Sequence, residues 1–585
     1  GAAPEAAETP GRTPGWLRMH GSLIVDGSAQ SVSGAGAELR RQEDVLPRMW
    51  FNAGGYLRPG WRYTTRVHMS GYESADRQAV NRYRVDLRTP MLDAAVGDVN
   101  PILHDLILSG RRVRGLQADV RAGPARLTVV SGQSNRPVTG LLDAADPTRV
   151  DRPGTYGQNL LAVRPAIGSG HRFQAGLSLL KVRDDVASIS PLRTEVDGGT
   201  GGTRSVNPTP KDNLVLGADL TLRLFGGRAL VRYESAASLL ANDISGGALT
   251  EAGLDSIMAD AGQDPLGIDP SAFERLLILN GSLIPLDPRG MTNLAHQVRT
   301  SFRAGSHMLS VEFRSVGGSY HTLGYPSLQR DRRGVRVRDS FTLFQDALAV
   351  YVGFEQDRDN LDAIKPATTT SRGTFATVSW QPSALSPGVS ASLRLGTRNN
   401  PLAPAEIGAR DEQNRIITLG ATLPVPLTDR LRTRLLGNVS LIDREDAANP
   451  AVDARERYYL GGVQAETPTR STEGSLMVGL NRSELPGLDA EVTDFHRATA
   501  YLRHAFTQRW SGILDGTLTG ARGGAIEGVA GLDYDRTELL AGGEFAWTPQ
   551  AVLSFSAGVA TYSDALAADR DTRELLARLR MSRSF

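Results

Sequence analysis

Apolar and polar residues alternate along much of this chain with a period of two, which is the pattern of β-strands. The last fifteen residues, 571–585, show it clearly. One face carries Leu575, Ala577, Leu579, Met581 and Phe585, and the other carries Glu574, Arg578, Arg580, Ser582 and Ser584. Arginines on one face of a strand belong in water. The pattern therefore predicts a strand that lies between an apolar environment and water.

The same sorting recurs in segments 214–224, 309–314, 348–355 and 430–441. Twelve short joints each connect two such segments into a pair. Longer stretches rich in Asp, Gly and Asn connect one pair to the next. The joints are 57–61, 88–91, 122–125, 168–171, 225–228, 304–307, 344–347, 382–387, 427–430, 467–470, 506–509 and 548–551. With a strand on each side of every joint, and the terminal strands, the sequence predicts about 26 strands. The predicted range is about 22–26, because 91–99 is short and Pro165 interrupts its strand.

A carboxyl-terminal strand that ends in an aromatic residue, here Phe585, resembles the terminal signal of bacterial outer-membrane β-barrel proteins. Tight turns at one rim and long loops at the other are similar to that family as well. Arg583 departs from the pattern, since the family usually places an apolar or aromatic residue third from the end. The resemblance implies an all-β fold, a transmembrane antiparallel barrel with short periplasmic turns, long extracellular loops and a helical insertion.

Segment 96–130 resembles the corresponding stretch of fimbrial ushers and of the large gliding-associated secretion channels. The likeness rests on Gly97 and Asp98 ahead of Arg114 and Gly115. It implies a barrel of the large porin or translocon type. Outer-membrane lipid, lipopolysaccharide and, during biogenesis, the barrel-assembly machinery are the partners that the family resemblance implies.

Composition narrows the classes of function. Apolar residues make up 40% of the chain, and no apolar run is long enough for a membrane helix. Cysteine is absent, which excludes disulfides and thiolate chemistry. The net charge of +1 argues against a nucleic-acid partner for the chain as a whole. Residues 1–15 are predicted to be a flexible periplasmic tail left after signal-peptide cleavage, and residues 16–585 the barrel.

Two sets of residues follow from the face pattern. The polar face predicts a pore lining of Asp219, Arg223, Arg232, Glu234, Glu312, Arg314, Arg336, Arg338, Arg432, Arg434, Arg578 and Arg580. Rings beside the short joints predict an interfacial aromatic girdle of Trp61, Phe225, Phe344, Trp380, Phe506, Trp510, Trp547 and Phe585.

Segment 237–293 is the only clearly helical passage. One helix is predicted near 250–261, where Leu254, Ile257 and Met258 share a face. A second is predicted after Asp269 and Pro270, which are typical of a helix start. Its apolar residues are Phe273, Leu276 and Leu277. Because a barrel of about 26 strands would be roughly 50 Å across, we expect this insertion to be a plug or lid of the lumen. An extracellular cap that contacts a partner is the alternative.

No catalytic, cofactor-binding or metal-binding residues are predicted. The sequence contains no HExxH or GxSxG motif, and His496 and His504 fall on an apolar face. The predicted function is a wide, polar, Arg-rich conduit for solute, polymer or a lumenal partner protein, and not an enzyme. Two alternatives stay open: a secretion or assembly translocon, similar to ushers or to the lipopolysaccharide-insertion barrel, and a structural sheath or anchor for a cytochrome or surface layer. A separate periplasmic or lumenal protein partner is expected for the conduit or the sheath.

Overall fold

A closed ring of 26 antiparallel strands forms the body of the protein in the computed structural model. The structure describes residues 18–39, 46–143, 146, 149–190, 193–195, 203–205, 207–260, 262–265, 267–383, 385–428, 430–467, 469, 471–486, 491–524 and 531–585. The predicted tail 1–15 lies outside these ranges.

The first thirteen strands of the ring are β1 Arg18–Ser33, β2 Leu46–Arg58, β3 Trp61–Ser70, β4 Arg82–Arg88, β5 Leu92–Val99, β6 Val113–Ala122, β7 Ala125–Asn135, β8 Gly157–Ile167, β9 Phe173–Asp185, β10 Asp212–Leu224, β11 Ala229–Ala241, β12 Leu294–Ala304 and β13 His307–Val316. The second thirteen are β14 Arg332–Leu343, β15 Leu348–Asp359, β16 Thr370–Trp380, β17 Gly388–Asn399, β18 Asp411–Thr428, β19 Leu431–Asp446, β20 Ala454–Glu466, β21 Thr472–Leu485, β22 Glu491–Ala505, β23 Trp510–Gly523, β24 Leu532–Thr548, β25 Ala551–Asp564 and β26 Thr572–Ser584.

The predicted fold class and strand number are confirmed. Each of the twelve short joints connects an even-numbered strand to the next one, so all of them lie at one rim, the short-turn rim. The longer connections meet at the other, the long-loop rim. β5 and β8, which the sequence marks as doubtful, are full members of the ring. No helix in the described ranges is long and apolar enough to cross a membrane.

The seam of the barrel joins the two ends of the chain. β1 pairs with β26 over a register that includes Ser22 opposite Ser584 and Asp26 opposite Arg580. The N–H of Gly21 donates to the carbonyl of Phe585 at 2.7 Å, and the N–H of Phe585 donates back at 3.0 Å. The terminal phenylalanine therefore takes part in closing the ring.

Short elements lie in the connections between the strands, and all but one of them belong to the long-loop side; the exception is the 3-10 turn Phe225–Gly227, which forms a short turn. Two-stranded pairs are formed by Ile102–His104 with Leu108–Ser109, Leu141–Leu142 with Val150–Arg152, and Arg193–Glu195 with Thr203–Ser205, while Leu283–Ile284 adds to the end of β11. Helix α1 spans Glu251–Asp260, and single 3-10 turns occupy Ala35–Leu39, Val186–Ser188, Phe225–Gly227, Pro270–Phe273, Pro288–Gly290, Pro450–Val452 and Ala568–Arg570.

The two faces of the wall can be told apart at β10. Leu216 points outward and is 51% exposed, as the apolar face of a membrane strand would be. Its neighbour Gly217 points inward, where a Cβ would lie 2.4 Å from the Cδ1 of Ile107. Because successive residues face opposite sides, the register carries this assignment around the ring.

The helical insertion differs from the expectation in three ways. Residues 237–241 belong to β11, so the insertion begins at residue 242. The second predicted helix is only the 3-10 turn Pro270–Phe273, although Asp269 caps it as expected by accepting from the N–H of Ser271 at 2.9 Å. A cluster of Leu277, Leu279 and Leu283 packs on Leu214, a residue of the outward face.

This outward packing separates the insertion from the lumen. Leu179 of β9 and Leu239 of β11, which also face outward, border the same cluster. The carboxylate of Asp212 accepts from the N–H of Ile278 at 3.0 Å on the same side of the wall. Leu277 therefore lies on the outward side of the wall, and the role of the insertion as a plug or lid, or as an extracellular cap, stays a prediction. Sequence periodicity reveals that a face is buried, but not which side of the wall buries it.

Candidate functional site

The connection between β5 and β6, residues 100–112, folds into the barrel instead of projecting from it. Leu106, Ile107 and Leu108 at its tip are at most 1% exposed. A barrel in the outer membrane has water inside and lipid outside. Apolar residues in a loop on the water side are therefore favourable only where other apolar residues bury them. The inner wall supplies that cover.

The main hydrophobic core of the molecule lies inside the barrel around this loop. Inward residues of β5–β13 form its wall, namely Ala95, Val99, Val113, Val130, Leu160, Ala162, Leu180, Val182, Val215, Ala236, Ala295 and Val316. A second connection, residues 317–331 between β13 and β14, contributes Tyr320 and Leu328. We call residues 100–112 and 317–331 together the lumenal plug. It is distinct from the insertion that the sequence marks as the plug.

Hydrogen bonds join the two parts of the plug. The hydroxyl of Tyr320 donates to the carbonyl of Leu106 at 2.8 Å, and the hydroxyl of Thr322 donates to the carbonyl of Ile107 at 2.7 Å. Both bonds are buried, so each satisfies a carbonyl that has lost water. At Gly217, the absence of a side chain lets the plug approach the wall of β10 closely.

Within the plug, His104 has almost no exposure. Its Nδ1 accepts from the N–H of Leu106 at 3.2 Å, and its Nε2 is 3.3 Å from the carbonyl oxygen of Ala218. Burial lowers the pKa of His104, against the opposing effects of the Ala218 hydrogen bond and of Asp219. The geometry fits the neutral tautomer with its proton on Nε2.

A series of ion pairs leads from the plug across the inner wall. Asp105 contacts Arg299 and lies 4.0 Å from Arg232. From Arg299 the series continues through Glu312, Arg336, Glu355 and Arg394, with N–O distances of 3.4, 3.5, 3.8 and 2.9 Å. The charges alternate, so each arginine of this series faces a carboxylate.

The opposite side of the lumen, formed by β15–β22, lacks such a core among the described residues. Many of its inward positions are small or polar, others such as Phe375, Leu460, Met477 and Phe495 are apolar, and Ser392, Thr418 and Tyr458 remain partly or largely exposed. A cavity of about 680 Å³ lies beside β19–β22 and is lined by Arg432, Arg434, Gln464, Glu466, Glu473 and Tyr501, among others. Among the residues that the structure describes, the lumen is therefore filled on one side and open on the other.

The twelve residues predicted to line a pore all occupy inward register positions. They are not equivalent. Asp219 and Glu234 are buried beneath the plug, while Glu312, Arg314 and Arg336 belong to ion pairs. Their contact with a solute stays a prediction.

The eight predicted girdle aromatics lie in the short turns or at the strand ends beside them. Seven are exposed, and Trp61 is covered by the guanidinium of Arg58, 3.9 Å from its ring centre. Their role at a membrane interface stays a prediction. Of the six residues assigned to a plug or lid, Leu254, Met258 and Leu277 are buried, Ile257 lies against the position of Gly281, and Phe273 and Leu276 are exposed.

Possible metal ligands and the two histidines noted in the sequence can be located in the structure. No group of three or more His, Asp or Glu among them is placed to hold a metal ion. His496 and His504 stand on the outward face, where His496 Nε2 lies 3.1 Å from Asp535 and His504 Nδ1 lies 2.7 Å from the Thr472 hydroxyl.

Sequence reasoning did not identify residues 100–112 and 317–331 as loops buried inside the barrel, although a signal exists. Pairs of consecutive apolar residues, such as Leu160 with Leu161 and Leu179 with Leu180, interrupt the alternation. Such pairs indicate strands that are covered on both faces. In these strands the outward face meets lipid, and the plug buries the inward face.

We expect docking of the plug to weaken as the pH falls below neutrality. Burial, with the charges of Arg330 and Lys211, lowers the pKa of His321 from 6.5 to about 4. Between these values the released imidazole binds a proton that the docked one does not, so docking is stable above the upper value and is lost as the pH falls. Hydrogen exchange of amides 100–112, corrected for intrinsic rates, should increase on acidification. His321→Gln should remove most of this pH dependence; an identical profile in the variant would contradict the assignment.

No family model matches this sequence, and no curated protein matches it either. Solved structures do match. The ferric preacinetobactin receptor BauA from Acinetobacter baumannii is 9% identical, with 96% of this chain and 80% of that one covered and a TM-score of 0.37. The P pilus usher PapC translocation pore is 11% identical over 97% and 99% of the two chains, with a TM-score of 0.29. OccK2 of Pseudomonas aeruginosa is 13% identical over 69% and 97%, with a TM-score of 0.32.

Likeness at this level transfers no function from those proteins to this chain. The architecture itself is clear: a closed 26-strand antiparallel ring with an apolar outer face and short turns at one rim. These are the features of an outer-membrane β-barrel.

Proposed function

We propose that this chain is an outer-membrane conduit whose path runs along β15–β22, beside a plug built from its own loops. The observation that supports the proposal is the difference in burial between the two sides of the lumen. On the plug side, Ala162 and Leu180 are at most 1% exposed. On the other side, Ser392 and Thr418 at comparable inward positions are not buried.

The chemistry of the open side suits a hydrophilic client. Hydroxyl, amide and charged side chains there present hydrogen-bonding groups to water, and the lining of a channel selects its solutes through such groups and through its width. The continuous apolar surface of the lumen lies on the plug side, where the plug already covers it. The outer-membrane lipid, lipopolysaccharide, assembly-machinery and lumenal protein partners stay predictions.

Single cysteines test the path, because the natural chain contains none. We expect Ser392→Cys to react with a bulky water-soluble thiol reagent and the single-channel conductance in planar bilayers to fall when it does. The matched control is Ala162→Cys, an inward position covered by the plug, which should react slowly and leave the conductance unchanged.

Two results would contradict the conduit. One is a wild-type chain that inserts into bilayers without forming channels. The other is a stoichiometric partner chain that co-purifies in mild detergent and protects Ser392→Cys from the reagent. The second result would favour the sheath.

A further inference from the structure

Five arginines on β3 and β4 stand out from the other charges of the inner wall. The register places Arg62 opposite Arg88, Arg66 opposite Arg84, and His68 opposite Arg82. We call Arg62, Arg66, Arg82, Arg84 and Arg88 the arginine ladder. Like charges directly opposite each other on a sheet destabilise it.

The ladder faces the lumen. Asp86, at the same face of β4, lies opposite Ala95 of β5, and Ala95 belongs to the core inside the barrel. Residues two apart on a strand share a face. Arg82, Arg84 and Arg88 therefore point inward, and their partners on β3 do the same.

Among the described residues, only one of the five arginines, Arg84, has an acidic partner. Asp86 is buried and is occupied by Arg84, at 2.9 Å from Nε, and by the hydroxyl of Thr64 at 3.1 Å. The next acid, Asp93, stands opposite Arg88 but is bound by Arg121. The other four arginines of the ladder are exposed, and none forms an ion pair with any residue that the structure describes.

The ion-pair series on β12–β15 shows the contrast within the same wall. There the register sets Arg299 against Glu312, Glu312 against Arg336, and Arg336 against Glu355. Where the inner wall does set arginine against arginine outside the ladder, as with Arg232 and Arg299, a carboxylate of the chain lies within ion-pair distance of both, here that of Asp105. On β3 and β4 the sheet places arginine against arginine, which leaves the charges available to an anion from outside the chain.

The neighbouring strand adds neutral groups that suit a polar ligand. On β2, Tyr56 lies beside Arg62, Asn52 beside Arg66, and Trp50 beside His68. The rings of Trp50 and His68 stack at 5.2 Å. From the level of Arg62 to that of Arg82 the strip is about 20 Å long, at about 3.4 Å per residue. This length exceeds a single small ion and fits an extended one.

We propose that the arginine ladder binds an extended polyanion whose carboxylate or phosphate groups pair with successive guanidinium forks. Arginine suits such groups because its planar fork donates two parallel hydrogen bonds to them. The inference rests on the proposed function in one respect, since it identifies the class of client that passes the ladder. Binding itself does not require conduction.

The test measures binding to the purified full chain in detergent by isothermal titration calorimetry. The probes are tripolyphosphate and an oligogalacturonate, which separate phosphate from carboxylate chemistry. We expect at least one probe to bind the wild type, and Arg62→Gln combined with Arg66→Gln to weaken its affinity at least tenfold. Raised salt should weaken binding to the wild type more than to the variant.

The control variant removes two arginines that also lie directly opposite each other on neighbouring strands, but on the outward face of the wall. Arg333 and Arg358 face each other on the outward face and are exposed. Arg333→Gln combined with Arg358→Gln should bind the probe as the wild type does. Heat-modifiable migration on gels checks that each variant is folded, and Arg82→Gln, at the end of the ladder, replaces the double variant if that does not fold.

Absence of binding by both probes, or equal affinities in the ladder variant and the control, would overturn the inference. Conductance of the same preparations is recorded separately. Channels that form without anion binding would contradict only the proposal that the ladder binds a polyanion. Anion binding without channels would contradict only the proposal that the chain is a conduit.

Discussion

Replacing residues 100–112 by an Asn-Gly turn should at least double the single-channel conductance. Val99 and Val113 lie directly opposite each other at the ends of β5 and β6, so a two-residue turn can connect them. The change removes Leu106, Ile107 and Leu108 from the lumen and exposes an apolar wall to water. Planar-bilayer recording of wild type and variant under the same conditions measures the effect.

Removal of the helical insertion provides the comparison. Because Leu277 packs on the outward Leu214, deletion of residues 244–282 should leave the conductance unchanged while lowering the thermal stability of the wall. If the insertion deletion raised the conductance and the loop replacement did not, the assignment of the plug to residues 100–112 would fail.

Arg164→Met should destabilise the barrel by about 3–5 kcal/mol, the usual cost of removing one partner of a buried ion pair. Arg164 Nε donates to Asp219 Oδ2 at 2.9 Å, and its Nη2 to Oδ1 at 2.5 Å. The pair crosses over Gly176 of β9, where a Cβ would lie 2.7 Å from Asp219. The change leaves a carboxylate without its cation. Urea unfolding followed by tryptophan fluorescence measures the loss.

Two further variants separate charge from packing. Arg164→Met combined with Asp219→Leu should recover most of the lost stability, since no uncompensated charge remains. Arg164→Lys should recover only part, because an ammonium cannot reproduce the two-pronged bond. A cost near zero for Arg164→Met alone would show that water reaches Asp219.

The strands were predictable because the side chains on the two faces of each strand differ according to the environment that each face meets. In β10, Leu216 and Gly217 differ in kind because one side of the wall requires an apolar side chain and the other leaves no room for any. The turns were predictable for the same local reason, and Phe585 marks the end of the last strand. These signals need no knowledge of distant residues.

The plug was not predictable in the same way. Whether Ile107 lies inside or outside the barrel depends on its contacts with β9–β13, and these strands are distant from it in the sequence. The insertion illustrates the converse, since Leu277 would show the same apolar pattern on either side of the wall. Side chains of one strand also cannot show that Arg66 meets Arg84, because the register between two strands decides it.

The seam between β1 and β26 sets an order of assembly. Its first and last paired residues, Ser22 with Ser584 and Ser33 with Arg573, are separated by nearly the whole chain. Contacts between such distant residues carry the largest loop-closure entropy and form late. Until they form, β1 and β26 are unpaired edges, and unpaired edges invite pairing with other chains. Pairing with β26 thus also protects the edge of β1 from aggregation.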